Sequence, residues 1–331
     1  MPRLFQARSR FSAPRCALLL SVLLFTTAHA ACPPAGHSRA TLSALKSTDW
    51  NVADDGKRQM LALALQACLA DPDPQLRDEL AFEVLSAWMR GGQLQTATLH
   101  QIRSTQLAIL KSGMADAATA SPHKQPQQSG ATGGLTVAAT SDADSGFAAP
   151  FAALTLAEVA RVDRKQPFLS KPQRDELVAT AAAYLTALRD YRGFDEQAGW
   201  RHGVAHSSDL MLQLSLNPAL EKAQMQTMLA AIAAQVAPGT HFYQYGEGER
   251  LMAPVFYLGR REEIGVAEWD GWFAALLAPL KKGPATQASL ALRHNLSGFL
   301  LPLYFSLQES GDSAQRQKML PLVARSLKQI E

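Results

Sequence analysis

Apolar residues recur at the spacing of a helix face in one segment of this chain after another. In Gln75–Arg90 they mostly follow the i, i+3, i+4 pattern, which places them on one side of an α-helix. Asp73-Pro74 supplies an N-cap followed by a proline, and Gly91-Gly92 ends the helix. No segment shows sustained alternation of apolar and polar residues, the pattern of a half-buried strand. We therefore predict an all-α fold.

The same spacing predicts a long series of helices joined by short connections. They lie near 57–70, 75–90, 95–111, 151–164, 173–191, 199–214, 218–236, 248–260, 266–280, 285–309 and 313–329. Such a series indicates an α-solenoid or an irregular multi-helix array, with a compact orthogonal bundle as the alternative. One piece, DPDPQLRDELAFEVL, resembles a single HEAT-like repeat, but no period of about 40 residues follows it. Residues 239–248 are the least helical part and suggest a tight turn or a short hairpin.

Residues 115–146 divide the chain. They are dense in Ser, Thr, Gly, Gln and Pro, and Leu135 and Val137 are their only sizeable apolar residues. A segment of this composition buries too little surface to offset the ordering of its backbone, so we predict a disordered linker. It separates an N-terminal helical block, residues 31–114, from a C-terminal helical block, residues 147–331.

Residues 1–30 have the pattern of a signal peptide. Four arginines and no acidic residue precede or flank an apolar run over residues 16–25, and Ala28-His29-Ala30 forms a cleavage site. Cleavage after Ala30 predicts a periplasmic or secreted protein. An uncleaved N-terminal anchor is the alternative; a lipoprotein is less favoured, because the usual aliphatic residue three positions before Cys32 is missing.

The charge balance of the mature chain excludes some partners. The sequence has 32 basic and 29 acidic residues. Since the four arginines of the signal peptide are removed, 28 basic residues remain against the 29 acidic ones, a net charge of about −1. This balance predicts no nucleic-acid partner and no binding to an anionic membrane surface. We also expect no transmembrane span in the mature chain.

Two cysteines, Cys32 and Cys68, remain after Cys16 leaves with the signal peptide. In an oxidising compartment such a pair predicts one disulfide. It would close a loop of about 35 residues, worth roughly 3–4 kcal/mol in the loop-entropy description. A buried free Cys68 with a reactive or intermolecular Cys32 is the alternative.

The most chemically suggestive stretch is Gly199–Asp209. If it is helical, His202 and His206 lie one turn apart and Asp209 shares their stripe. Two imidazoles at this spacing, with a carboxylate as third ligand, bind a divalent metal such as zinc. The zinc-protease motif has a glutamate directly after its first histidine, whereas Gly203 stands there in this chain.

Other interpretations of these residues stay open. A catalytic base would have to come from elsewhere, with Asp195, Glu247 and Glu249 as the candidates. The histidines also suit a metal-free polar pocket that includes Arg192 and Trp200. In a third interpretation they are packing residues that hydrogen-bond to neighbouring side chains or to backbone carbonyls.

Two further polar groups are candidates for lining a pocket. The loop from His241 to Arg250 combines an imidazole, three aromatic rings, two carboxylates and a guanidinium in ten residues. His294 lies in a polar Arg-His-Asn run within an otherwise apolar helix. The alternative for the loop from His241 to Arg250 is an ordinary loop anchored by its aromatic rings. The alternative for the run that contains His294 is a buried hydrogen-bonded pair.

Several catalytic motifs are missing from the sequence. It contains no nucleophile elbow, no P-loop and no dinucleotide-binding glycine pattern, and neither mature cysteine sits in a nucleophile motif. Acyl transfer by Ser or Cys and nucleotide chemistry are therefore poorly supported.

Three pieces of the sequence resemble the bacterial family called domain of unknown function 2785. They are DPxxRDExA at 73–81, YRGF at 191–194 and GWxHxxAHxxD at 199–209, of which the last is the specific one. The resemblance runs from about residue 71 to about residue 304, without the linker. It implies an all-helical protein with no assigned activity and a shared site at His202, His206 and Asp209. Ser207-Ser208 departs from the small apolar residues usual at these positions, and the linker resembles a local insertion.

These observations predict an exported helical protein whose polar pocket around His202, His206 and Asp209 binds an unknown ligand or an envelope protein. The alternative function is a metal-dependent hydrolase that uses the same three residues as metal ligands.

Overall fold

The computed structural model describes residues 32–119, 146–280 and 283–330, and these residues are mostly helical. Within these ranges lie twelve α-helices: α1 (Arg39–Lys46), α2 (Asp55–Leu65), α3 (Glu83–Arg90), α4 (Thr96–Thr119), α5 (Ala148–Lys165), α6 (Lys171–Ala187), α7 (Gly203–Ser215), α8 (Lys222–Val236), α9 (Glu247–Leu258), α10 (Val266–Leu277), α11 (Gln287–Gln308) and α12 (Ser313–Leu327). The predicted all-α class is confirmed, while the solenoid-like arrangement stays a prediction.

Several predicted boundaries need correction. The helix predicted at 57–70 tightens into a 3-10 turn at Gln66–Ala70, and the one predicted at 75–90 begins as a π-helix, Gln75–Phe82. Helix α4 continues to Thr119, into the predicted linker, whose residues 120–145 lie outside the described ranges. The predicted signal peptide also lies outside them.

The start of α7 differs most from the prediction. The structure places a two-stranded hairpin before the helix, with β1 (Phe194–Asp195) antiparallel to β2 (Gly199–Trp200). Gly199 has a φ of 74° and His202 a φ of 51°, both left-handed, so the chain cannot be helical there. Residues 239–246, predicted as a turn or hairpin, contain a turn and no strand.

The helices bury two apolar cores that share α5. One core combines residues between 42 and 102 with Phe147, Phe151 and Val159. The other combines Leu107 and Leu110 of α4 with residues of α5 to α12. An ion pair between Arg90 and the mostly buried Glu158 joins α3 to α5. The helices on either side of residues 120–145 therefore pack together across α5.

The predicted disulfide is present between Cys32 and Cys68, whose Cα atoms are 5.1 Å apart. Cys68 is fully buried in the first core. The bond therefore ties the start of the described chain to the 3-10 turn that follows α2. Among the described residues, no helix has both the length and the apolar character required to cross a membrane.

Candidate functional site

The hairpin before α7 presents two aromatic rings to solvent. Phe194 and Trp200 are directly opposite each other across the strands, with ring centroids 4.9 Å apart. They remain 46% and 40% exposed, respectively. The carboxylate of Asp195 accepts hydrogen bonds from the backbone N–H groups of Gln197 and Ala198, which lower its pKa. Asp195, a candidate base in the sequence analysis, thus closes the turn of this hairpin.

Arg77 fixes the hairpin although it is 121 positions away in the sequence. Its side chain is fully buried, and its guanidinium donates to the Ala198 carbonyl at 2.8 Å. The same guanidinium lies 3.6 Å from the centre of the Phe147 ring and is ion-paired with Asp78. The motif at 73–81 and the motif at 191–209 therefore meet in space.

His202 is the N-cap of α7 and joins the hairpin to the helix. Its ring stacks on Trp200 at 4.6 Å. Its Nε2 lies 3.2 Å from the Tyr245 carbonyl. Burial lowers the pKa of His202, although the charge of Glu247 partly offsets this effect.

His206 is buried on α7, with only 8% of its surface exposed. Its ring makes an edge contact with Phe151 at 5.1 Å and is 6.0 Å from the ring of His202. Its Nδ1 is buried and has no hydrogen-bond partner. Burial lowers the pKa of His206 to about 3, so the imidazole is neutral at pH 7.

Asp209 is committed to an ion pair rather than to a histidine. Both of its carboxylate oxygens accept hydrogen bonds from Arg250, the Oδ1 bond being 3.1 Å long. Burial raises the pKa of Asp209 despite this partner. Within the described ranges, no three His, Cys, Asp or Glu side chains are close enough to hold a metal ion together. The predicted three-ligand set of His202, His206 and Asp209 is thus not assembled, because Arg250 holds the carboxylate.

The loop before α9 covers the base of the hairpin. Tyr245 packs on Gly193 so closely that a Cβ there would lie 2.0 Å from the ring, so this position requires glycine. The buried carboxylate of Glu247 accepts a hydrogen bond from the Tyr245 N–H at 2.9 Å. His241 stacks on Tyr191 at 5.1 Å, and its buried Nε2 has no partner.

The remaining candidates have structural contacts. His294 lies 2.8 Å from the Tyr243 carbonyl through Nε2, and Asn295 donates to the His241 carbonyl. The polar run in α11 thus hydrogen-bonds to the backbone of the loop before α9. Arg192 is exposed and ion-paired with Asp190.

The sequence analysis included hydrogen bonds from the histidines to backbone carbonyls as one interpretation but could not identify the carbonyl. For His202 it is that of Tyr245, and no residue type marks such a partner in a sequence. The sequence analysis missed Arg77 as a support of the hairpin, although this residue belonged to the first resembling motif.

Neither of two cavities in the described chain contains the predicted site. One, of about 490 Å³, lies between α2 and α4 and includes Leu63 and Gln101 in its lining. The other, of about 260 Å³, lies between α10 and α12 and includes Asp270 and Arg325. The aromatic rings of the hairpin form a shallow surface rather than the lining of either cavity.

Among the comparisons with known proteins, a match was found only with a family model. No curated protein and no solved structure matches the chain. A family model described as "protein of unknown function" (DUF2785) matches residues 137–305, which is 169 of the 331 residues. The match includes the hairpin, α7 and the loop before α9, and it leaves out Arg77. The chain belongs to this uncharacterised family.

Proposed function

We propose that this chain is an exported, non-catalytic binding protein whose recognition surface is the hairpin face of Phe194, Trp200 and His202. We call these three residues the aromatic face. The observation that carries the proposal is the exposure of Phe194 and Trp200, at 46% and 40%, side by side on a braced hairpin. Large rings in such a place add contact area at little cost in conformational entropy.

The surroundings support recognition by a rigid surface. Arg77 holds the turn of the hairpin, and Tyr245 packs against its base. The ion pair of Asp209 and Arg250 supplies polar groups close to the histidines. A surface that is fixed before binding loses little freedom when the ligand arrives.

The acidic side chains favour binding over hydrolysis. Asp195 accepts two backbone hydrogen bonds in its turn, Glu247 accepts one from Tyr245, and Asp209 is paired with Arg250. A general base needs a carboxylate that can reach a water or substrate proton. These engagements support a non-catalytic role.

The test of this proposal measures the NMR signal of the Trp200 ring while candidate ligands are added. The chain has five tryptophans, so labelling with 5-fluorotryptophan gives a small set of ¹⁹F NMR signals, and Trp200→Phe assigns one of them. Glycan, peptide and lipid fractions of a bacterial envelope are added separately. We expect one fraction to shift the Trp200 signal and Trp200→Ala to abolish retention of that ligand.

Phe305 provides the matched control, because it is also an aromatic residue with most of its surface exposed, but it lies on α11. Phe305→Ala should bind as the wild type does. The proposal fails if no fraction moves the Trp200 signal, or if Trp200→Ala retains the ligand as well as Phe305→Ala. Export is checked separately, since protein recovered from the periplasm should begin at Ala31.

A further inference from the structure

His202 is held by a hydrogen bond to a backbone carbonyl. Its Nε2 lies 3.2 Å from the Tyr245 carbonyl. A carbonyl oxygen only accepts, so Nε2 carries the hydrogen and this neutral ring keeps its lone pair on Nδ1. His206, one turn further on, also has an Nδ1 without a hydrogen-bond partner.

This arrangement is typical of metal-binding histidines. A histidine that ligates a metal usually donates its other ring N–H to a carbonyl or carboxylate, which fixes the tautomer and the ring orientation. In this chain the carbonyl that holds His202 belongs to Tyr245, in the loop before α9. The His206 ring is held by its edge contact with Phe151 on α5. Tertiary packing thus orients both rings before any ion arrives.

His206 contributes a second, independent observation. It is more than nine-tenths buried, and its Nδ1 lacks a hydrogen-bond partner. A buried polar atom without a partner destabilises the folded chain. A Lewis acid at Nδ1 would remove this cost.

The spacing of the two rings suits a shared ion. Their centroids are 6.0 Å apart. A metal–nitrogen distance of about 2.0–2.1 Å places the centroids of two imidazoles on one ion roughly 5–6.5 Å apart, depending on the angle at the metal. Phe151 and Trp200 border the pair with aromatic surface.

The charges that face the pair do not prevent binding of a cation. Arg250 and Arg77 act on His206, and each is ion-paired with an aspartate of its own. On His202 the negative charge of Glu247 acts together with the smaller opposing effect of Arg250. Since no third His, Cys, Asp or Glu joins the set in the described residues, further coordination positions would be left for water or a ligand.

We propose that His202 and His206 bind one late first-row transition-metal ion, copper or zinc, through their Nδ1 atoms. Imidazole nitrogen is a good ligand for both metals. The site differs from the three-ligand set of the sequence analysis, because Asp209 is not part of it. It does not depend on the binding function proposed for the aromatic face.

The test uses the full mature chain without a histidine tag. It is titrated with Cu⁺ under anaerobic conditions and, separately, with Zn²⁺, each against a competing chelator. We expect one tightly held equivalent of at least one of the two ions. The Trp200 ring lies 4.6 Å from that of His202, so binding of copper should also quench its fluorescence.

His202→Asn is the decisive variant. Asparagine tolerates the left-handed backbone found at this position, so the start of α7 is preserved while the imidazole is lost. Affinity should fall roughly 10–100-fold or more. His206→Asn should have the same effect, and if that variant does not fold, His202→Asn still decides the matter.

His100 supplies the control. It lies on α4, where its ring contacts Phe168 and no second histidine, so His100→Asn should bind the ion as the wild type does. The proposal is overturned if the wild type retains neither ion. It is equally overturned if folded His202→Asn retains the ion with unchanged affinity.

Discussion

At the scale of single residues, burial rather than residue type decides the state of the histidines near α7. The folded environment lowers the pKa of His202, His206 and His241, in each case chiefly by removing water from the ring. A desolvated imidazole favours its neutral form. At pH 7 these side chains are therefore neutral donors and acceptors, not cations.

The depressed pKa of His206 predicts a pH-dependent stability. Its pKa is about 3 in the folded chain and about 6.5 when unfolded. Below a pH of about 6.5, the His206 imidazole therefore binds a proton in the unfolded state but stays unprotonated in the folded state. The free energy of unfolding contributed by this residue is fully present above that pH and is lost as the pH falls towards 3. Between pH 7 and pH 5 the loss should be about 2 kcal/mol.

Urea unfolding curves measured at several pH values test this expectation. His206→Phe keeps an aromatic ring against Phe151 but removes the titrating group. Its stability should decline less steeply between pH 7 and pH 5 than that of the wild type. Equal slopes for the two proteins would contradict the assignment to His206.

At the scale of elements, the hairpin depends on residues far away in sequence. β1 and β2 have two residues each, which is too short for independent stability. Their turn accepts a hydrogen bond from Arg77, 121 positions before Ala198. The family match starts at residue 137, so the family model does not include the arginine that braces the hairpin in this chain.

Replacement of Arg77 should therefore be costly. Arg77→Met removes the bond to the Ala198 carbonyl and leaves the half-buried Asp78 without its ion-pair partner. A loss of roughly 3–5 kcal/mol is expected, as when one member of a buried pair is removed. Chemical denaturation measures the loss, and the ¹⁹F signal of Trp200 should broaden or shift.

Arg39→Met is the comparison, because Arg39 pairs with Asp73 at an exposed position. Removal of such an exposed pair should cost less than about 1 kcal/mol. If Arg77→Met were as mild as Arg39→Met, Arg77 would not support the hairpin.

At the scale of the whole molecule, α5 and the disulfide hold the first part of the chain in place. α5 contributes residues to both apolar cores. The Cys32–Cys68 bond ties the residues before α1 to the first core. The core contacts of α5 and the disulfide act on different states. Core burial stabilises the folded chain, whereas a disulfide chiefly restricts the unfolded chain.

Loss of the disulfide should lower stability without changing the fold. A double Cys32→Ser, Cys68→Ser variant is expected to lose about 3–4 kcal/mol, given a loop of 36 residues. The thermal midpoint of oxidised wild type, reduced wild type and variant measures this. Reduced wild type should resemble the variant. Equal midpoints for all three would show that the bond contributes nothing to stability.

The sequence by itself determined the helical class, most of the helices and the cysteine pair. Helix spacing and caps are local, so they can be predicted wherever short-range interactions prevail, as in α8, α10 and α12. It also drew attention to Trp200, His202 and His206. These residues do lie together in the folded chain. The ring centroids of Trp200 and His202 are 4.6 Å apart, and those of His202 and His206 are 6.0 Å apart.

Only the tertiary structure decided what these residues contact. The left-handed backbone of His202, the Arg250 partner of Asp209 and the carbonyl that receives the His202 imidazole all depend on other elements. Hydrogen bonds to backbone carbonyls and contacts between distant segments leave no periodic pattern in a sequence, so the helical spacing alone put three ligands on one helix. The fold instead pairs Asp209 with Arg250 and leaves the two histidine rings together beside an exposed aromatic pair, with the Nδ1 of His206 unpartnered.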